Sequence, residues 1–168
     1  MLSEGYRSLP RTADERTTLL TFLEWQRDTL AGKCAGLTDA QLRTRAAPPS
    51  TLSLLGLLRH LADVERGWFR RTLGGEDLPD RFATDADPDA DFNDVDSADA
   101  DEAKHAWREE CEHANGVIET HALDDIVHQK TGRAVSMRWI LTHMVEEYSR
   151  HNGHADLLRE RIDGATGY

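Results

Sequence analysis

His143, Glu147, His151 and His154 crowd one stretch near the end of the chain. These side chains bind metals or move protons, so their phase matters. On a helix advancing about 100° per residue, with His143 at zero, His154 falls at about 20°, Glu147 at about 40° and His151 at about 80°. Ile140 and Leu158 fall at about 60°, Met144 and Ile162 at about 100°, and Trp139 and Leu157 at about −40°. The polar stripe is therefore predicted to run down the middle of an apolar face. A core-facing carboxylate beside imidazoles is costly unless it is paired, hydrogen-bonded or metal-bound. Glu147 and His151 are i, i+4, one turn apart, and can converge on one ion. His60, in LLRHLADVERGWF, shares a helix face with Leu57, Val64 and Trp68 and points inward as well. Together these residues make a His2Glu donor set. Three protein donors with a position left for water or substrate are the catalytic form of a zinc site. Nitrogen and carboxylate donors without thiolate also admit nickel, iron or manganese.

Each piece has a plainer reading. His60 alone reads as a hydrogen-bonded core histidine. Glu147 and His151 alone read equally well as a buried ionic hydrogen bond. All three on inward faces favour a metal. His143 and His154 are read as supporting the ligands or facing substrate, in preference to serving as alternative ligands, with packing near the bundle ends as the plainer reading. His143, one turn before Glu147, is placed to orient it. Arg150, beside the stripe at about −20°, is a candidate contact for an anionic substrate, against the plainer ion pair with Glu146.

Other residues carry less. DADPDADFND looks calcium-like, but no frame has both the Gly and the Glu of an EF-hand loop, so it reads as a solvated loop. His105, His113, His121 and His128 sit among polar residues and read as surface. Cys34, near a helix end, should have its thiol pKa raised by the dipole. Cys111 reads as a small buried residue. Trp68, Phe69 and Trp139 read as core, with either Trp alternatively lining a pocket above the metal.

The elements that must position these residues are helical. The first long helix is predicted from a Thr12/Glu15 capping box through Leu19, Leu20, Phe22, Leu23 and Leu30 to near Gly36. A short helix follows at Thr38–Arg43, with Thr38 and Gln41 as a second capping box. Beyond Pro48 and Pro49, Ser50 or Thr51 caps the second long helix, which stops at Gly74 and Gly75. A third spans about 98–120. A connection over 124–132 has room for a hairpin or turn at Thr131 and Gly132. The fourth helix runs from about Val135 to Ile162, with Gly164 placed to end it. No repeat and no convincing sheet emerge. The expectation is one all-α domain over residues 1–168, a four-helix bundle with a long acidic loop, about 76–97, between helices two and three.

That loop explains the composition. The 168 residues carry a net charge of −11. Residues 76–102 hold twelve acids and one base, Arg81, so this segment accounts for the whole imbalance and the rest is neutral. No basic patch stands out, which argues against nucleic acid. No apolar run of about 18 residues argues against a membrane span, and the N-terminus lacks a hydrophobic leader core. Two distant cysteines without a CxxC fit a reducing cytoplasm. A bundle admits homodimerisation, though no residue pattern specifies it.

At LLRHLADVERGWF (57–69) and SMRWILTHMVEEYSRHNGHADLLRERIDG (136–164) the chain resembles the DinB-like superfamily of metal-binding four-helix bundles. It is most similar to the actinobacterial branch near the mycothiol-dependent maleylpyruvate isomerase N-terminal domain and the mycothiol S-transferases. HNGHADLLRE resembles the family's HxGQ-type segment, with His154 where a Gln is common. The resemblance covers nearly the whole chain. It implies His60 as the metal ligand of helix two, and Glu147 and His151 as the ligands of helix four. Many relatives have His at the position of Glu147; Glu there resembles the isomerase pattern. The isomerase has a further C-terminal domain, so the resemblance implies thiol transfer rather than isomerisation.

The reading that results is a cytoplasmic, divalent-metal-dependent thiol S-transferase, zinc being the first candidate metal. A low-molecular-weight thiol such as mycothiol would act on a small electrophile. The alternatives are a metal-dependent hydrolase of a small molecule, with metal-bound water in place of the thiol, and a non-enzymatic metal-binding or stress-related protein.

Overall fold

A computed structural model describes residues 8–167. The leader reading rests partly on residues 1–7, outside the described ones. Helix α1 (Glu15–Cys34) is capped by Asp14, whose carboxylate accepts from the backbone N–H of Thr17 at 3.0 Å. The cap is thus Asp14, not Thr12, because Asp14 directly precedes the helix and its carboxylate reaches the free amides of the first turn. Helix α2 (Asp39–Arg43) has the expected Thr38/Gln41 capping box. Helix α3 (Leu54–Glu65) begins later than expected. Ser53 caps it by accepting from Gly56 N–H at 3.1 Å, while the Ser50 hydroxyl is taken by a local turn at Leu52.

Past Glu65 the chain continues as a π-helical segment, Arg66–Leu73. There the wider turn brings Gly74 N–H onto Phe69 O at 2.8 Å. Helix α4 (Ala90–Asn93) is short; α5 spans Ala100–Glu119. Strands β1 (Ile126–His128) and β2 (Ala134–Ser136) form an antiparallel hairpin pairing Val127 with Val135. The sequence left room for this hairpin at Thr131 and Gly132, and the rest of the regular structure among the described residues is helical. Gly132, at φ 82°, supplies the left-handed residue of the hairpin turn. Helix α6 (Met137–Asp163) ends at Gly164 with φ 79°, as predicted.

Helix α1 packs along α6, and α3 along α5, giving the four-helix bundle. A buried polar network ties the four together. Arg27 of α1 grips Glu65 of α3 with two hydrogen bonds, at 2.8 and 2.6 Å. Tyr148 of α6 donates to Glu65 at 2.7 Å, and Trp107 of α5 donates to the Tyr148 hydroxyl at 2.8 Å. Glu65 and Tyr148 are fully buried. Such a network is tolerable only because each charge and donor is matched.

The acidic loop is not simply solvated. Asp63 of α3 accepts from the backbone amides of Arg81, Phe82 and Ala83 at 2.5, 3.0 and 2.9 Å. Arg59 donates to the carbonyls of Asp91 and Ala90, both at 3.0 Å, and its guanidinium lies over the Phe82 ring. Ala90, Asp91 and Val95 are buried. Gly56 permits this close docking, since a Cβ there would meet Phe92 Cδ1 at 3.0 Å. The segment is therefore laid along α3, with its outward carboxylates in water and a few inward residues anchored.

Candidate metal centre

Helix α6 buries Met137, Ile140, Leu141, Met144, Tyr148, Ala155 and Leu158, which centre at about 110° on the wheel used above. Trp139 and Leu157, expected in the core, are 49% and 61% exposed. The polar stripe thus lies on the flank of the buried face rather than along its middle. Tyr148 belongs to the buried face, where its hydroxyl donates to Glu65 and accepts from Trp107. Along the stripe His151 is buried, while His143, Glu147 and His154 are half-buried at the edge of this face.

His60 of α3 faces this edge. Donor atoms of His60, Glu147 and His151 all lie within 4.8 Å of one another. His151 Nε2 is 3.1 Å and His60 Nε2 is 3.4 Å from the same oxygen, Glu147 Oε1. A tetrahedral zinc with bonds of about 2.0–2.1 Å has ligand–ligand edges of about 3.3 Å. Both separations fall near that edge, so these two donor pairs are spaced as a tetrahedral divalent ion requires. A 3.4 Å contact is by contrast long for a hydrogen bond.

Asp91 prepares His60 for this role. Its carboxylate Oδ2 sits 2.8 Å from His60 Nδ1. It is placed to accept from Nδ1–H and leaves Nε2 turned to Glu147, the usual support for an imidazole that binds a metal once Nε2 gives up its proton. The Phe92 ring packs on the His60 ring, 4.8 Å between centroids.

The electrostatics suit a cation. Burial disfavours a charged His60, but hydrogen bonds to Asp91 and Glu147 outweigh it and push the imidazole pKa up to about 9. Hydrogen bonds from His151 and His60 hold Glu147 well below the usual carboxylate range. The same negative surroundings attract a divalent ion, which must displace the His60 proton to bind.

The remaining candidates lie nearby in other roles. His154 Nδ1 faces His151 Nδ1 at 3.4 Å, and burial with the neighbouring His151 and Arg150 lowers its pKa. His143 Nδ1 faces Glu146 at 3.3 Å rather than orienting Glu147 through a hydrogen bond. Arg150 forms the ion pair with Glu146, at 2.9 Å, and is exposed. His105, His113 and His128 are exposed as expected; His121 is half-buried, its Nδ1 at 2.9 Å from Val117 O.

Sequence reasoning missed Asp91. The available signal was Ala90, Phe92 and Val95, apolar residues in an acidic segment that would otherwise have no reason to carry them. It also missed Glu110, fully buried and met by Arg66 and Arg81 at 2.7 Å and by Arg70 at 3.4 Å.

Neither cysteine is an available nucleophile. Burial pushes the Cys34 thiol up to about 12, which makes desolvation rather than the helix dipole the dominant cause. Cys111 is half-buried, and burial together with the Glu65 carboxylate raises its thiol far above the ordinary range.

Two neighbouring cavities lie between His60 and the hairpin. A cavity of about 350 Å³ lined by His60, Asp91 and Trp68 adjoins one of about 450 Å³ lined by Trp68, Ile126, Arg133 and Trp139. Trp68 and Gln129 line both.

This bundle with its inward His and Glu donors has the architecture of the DinB-like proteins. The family model described as mycothiol-S-transferase matches residues 18–164, and the chain belongs to that family. Among solved structures, a conserved protein from Enterococcus faecalis superimposes with a TM-score of 0.70. It is 16% identical, with 92% of this chain and 100% of that one covered, a likeness of fold alone. No curated protein matches the chain. Among the described residues no helix is long and apolar enough to cross a membrane.

Proposed function

We propose that this protein is a divalent-metal-dependent thiol S-transferase that joins a low-molecular-weight thiol, mycothiol by family, to a small electrophile. The observation that carries the reading is the convergence of His60 Nε2, Glu147 Oε1 and His151 Nε2, with Asp91 Oδ2 held against the far His60 nitrogen, Nδ1. Zinc suits this donor set best, and nickel, iron or manganese are compatible with it. Bound there, the ion supplies acidification of a thiol, so that thiolate forms near neutral pH.

The residues do the rest. His60, Glu147 and His151 hold three sides of the site and leave the cavity side to the thiol. Both cysteines are withdrawn from reaction, so the sulfur comes from a second molecule. The thiol proton passes to solvent. The sulfur electron pair forms the S–C bond, and the electrophile's leaving group departs with the electrons of the bond that breaks.

The test has two readouts. Untagged wild type, His60→Ala and Glu147→Ala are analysed for bound metal; about one ion per chain in the wild type and little in the variants is expected. The wild type is then given monochlorobimane with and without mycothiol, before and after chelation. Loss of the chloride only with both thiol and metal supports the reading. Loss without thiol would make the protein a hydrolase, and equal metal content in all three proteins would remove the site.

A further inference from the structure

The cavity by the hairpin has a composition of its own. Ile126 and Trp139 are 60% and 49% exposed, large apolar side chains held open at the surface. The Trp68 and Trp139 rings lie 5.2 Å apart at 52°, forming a corner rather than a closed stack. The cavity they line, about 450 Å³, is of small-molecule size. Arg133, on the hairpin turn, lines its edge. Cations around it are matched: Lys130 with Asp77, Arg138 with Glu15 and Asp124, Arg71 with Asp80. Arg133 is exposed and, among the described residues, its guanidinium has no carboxylate partner. In a chain of net charge −11 this is no shortage of acids. The corner joins the centre through one ring. His143 stacks on Trp139 at 4.9 Å and 19°, and meets Trp68 edge-on at 4.9 Å. A His143 nitrogen also lies within 4.8 Å of a Glu147 oxygen.

We infer that the Trp68–Trp139–Ile126 corner with Arg133 is a binding subsite for a small aromatic carboxylate. The apolar body lies in the tryptophan corner, where an aromatic ring finds two ring faces. The carboxylate pairs with the Arg133 fork, a geometry suited to bidentate contact. The pocket binds such a molecule whether or not thiol chemistry occurs. Only its role as the seat of the electrophile rests on the thiol-transfer reading above.

The probes are 1-naphthoate and its neutral isostere 1-naphthamide, titrated into ¹⁵N-labelled protein while the four tryptophan indole N–H signals are followed. Naphthoate is expected to shift the Trp68 and Trp139 signals and leave those of Trp25 and Trp107 in place. Arg133→Gln should raise the Kd for naphthoate about tenfold, the loss of one good ionic contact, without changing that for naphthamide. Trp139→Ala should weaken both. His60→Ala is expected to retain the wild-type Kd. A failure of metal binding or of thiol chemistry is thereby told apart from a failure of the pocket. Equal shifts at all four tryptophans, no shift at any, or an Arg133→Gln variant that binds naphthoate as the wild type does would overturn the assignment.

Discussion

Of the two ring nitrogens on His60, Asp91 occupies one at 2.8 Å and thereby dedicates the other to the Glu147 side. Asp91→Ala should leave the bundle folded but free the ring to change tautomer. Metal affinity is expected to fall about 10–100-fold, the usual cost of losing such support, measured by competition with a chromophoric chelator. Unchanged affinity would mean that the α3 backbone alone sets the ring. His60, Glu147 and His151 were legible in sequence because metal-binding side chains at helical spacing are rare among apolar neighbours. Asp91 was not, because it is one acid among many and its partner is 31 residues away. The cysteines allow a second prediction. With the Cys34 thiol held at about 12, iodoacetamide at pH 8 should leave Cys34 unmodified in the native protein and label it on unfolding. The sign of the linkage follows. A folded pKa above the unfolded value stabilises below about 9, and that stability is lost as pH rises from there through about 12. The thermal midpoint should therefore decline above pH 9, and less steeply in Cys34→Ala.

Segments 54–65 and 76–97 are best understood as one unit, although composition sets them apart. The acidic stretch looked free because its anchors are backbone groups. Asp63 holds three amides and Arg59 two carbonyls, and no sequence pattern marks an amide as a partner. The same limit applied to α6, where the period was legible but its phase was not. Tyr148, fully buried, belongs to the core, and the polar stripe lies on the flank. The consequence for α3 can be measured. Asp63→Ala removes an acceptor from three amides at once; the loop can relax toward water, so a cost of about 2 kcal/mol is expected rather than the full sum. Hydrogen exchange should quicken at Arg81, Phe82 and Ala83 and at α4. Because α4 carries Asp91, metal affinity should weaken as well. Protection at 81–83 equal to the wild type would show that the loop is held by its apolar contacts alone.

At the scale of the molecule, the net charge of −11 and the candidate centre make opposite predictions about metal ions. Exposed acids such as Asp85, Asp89, Asp94 and Asp96 attract cations in the folded chain and in the unfolded chain alike. Ions bound there leave stability nearly unchanged, since only differential binding shifts the equilibrium. The His60–Glu147–His151 set exists only when α3 and α6 are packed, with Asp91 brought in from the loop. An ion held there stabilises the fold by mass action, about 2.7 kcal/mol at a hundredfold excess over Kd. For a chain of this size that amounts to a thermal shift of about 5–10 °C. Zinc added to chelator-stripped protein should therefore raise the midpoint by that amount. Glu147→Ala should abolish the rise while keeping nearly the same surface charge. A rise of equal size in Glu147→Ala would show that the stabilising ion is held without Glu147 and would remove this centre as its seat. Stoichiometry alone cannot make this distinction, because a surface of carboxylates also retains metal; the coupling of binding to the fold can.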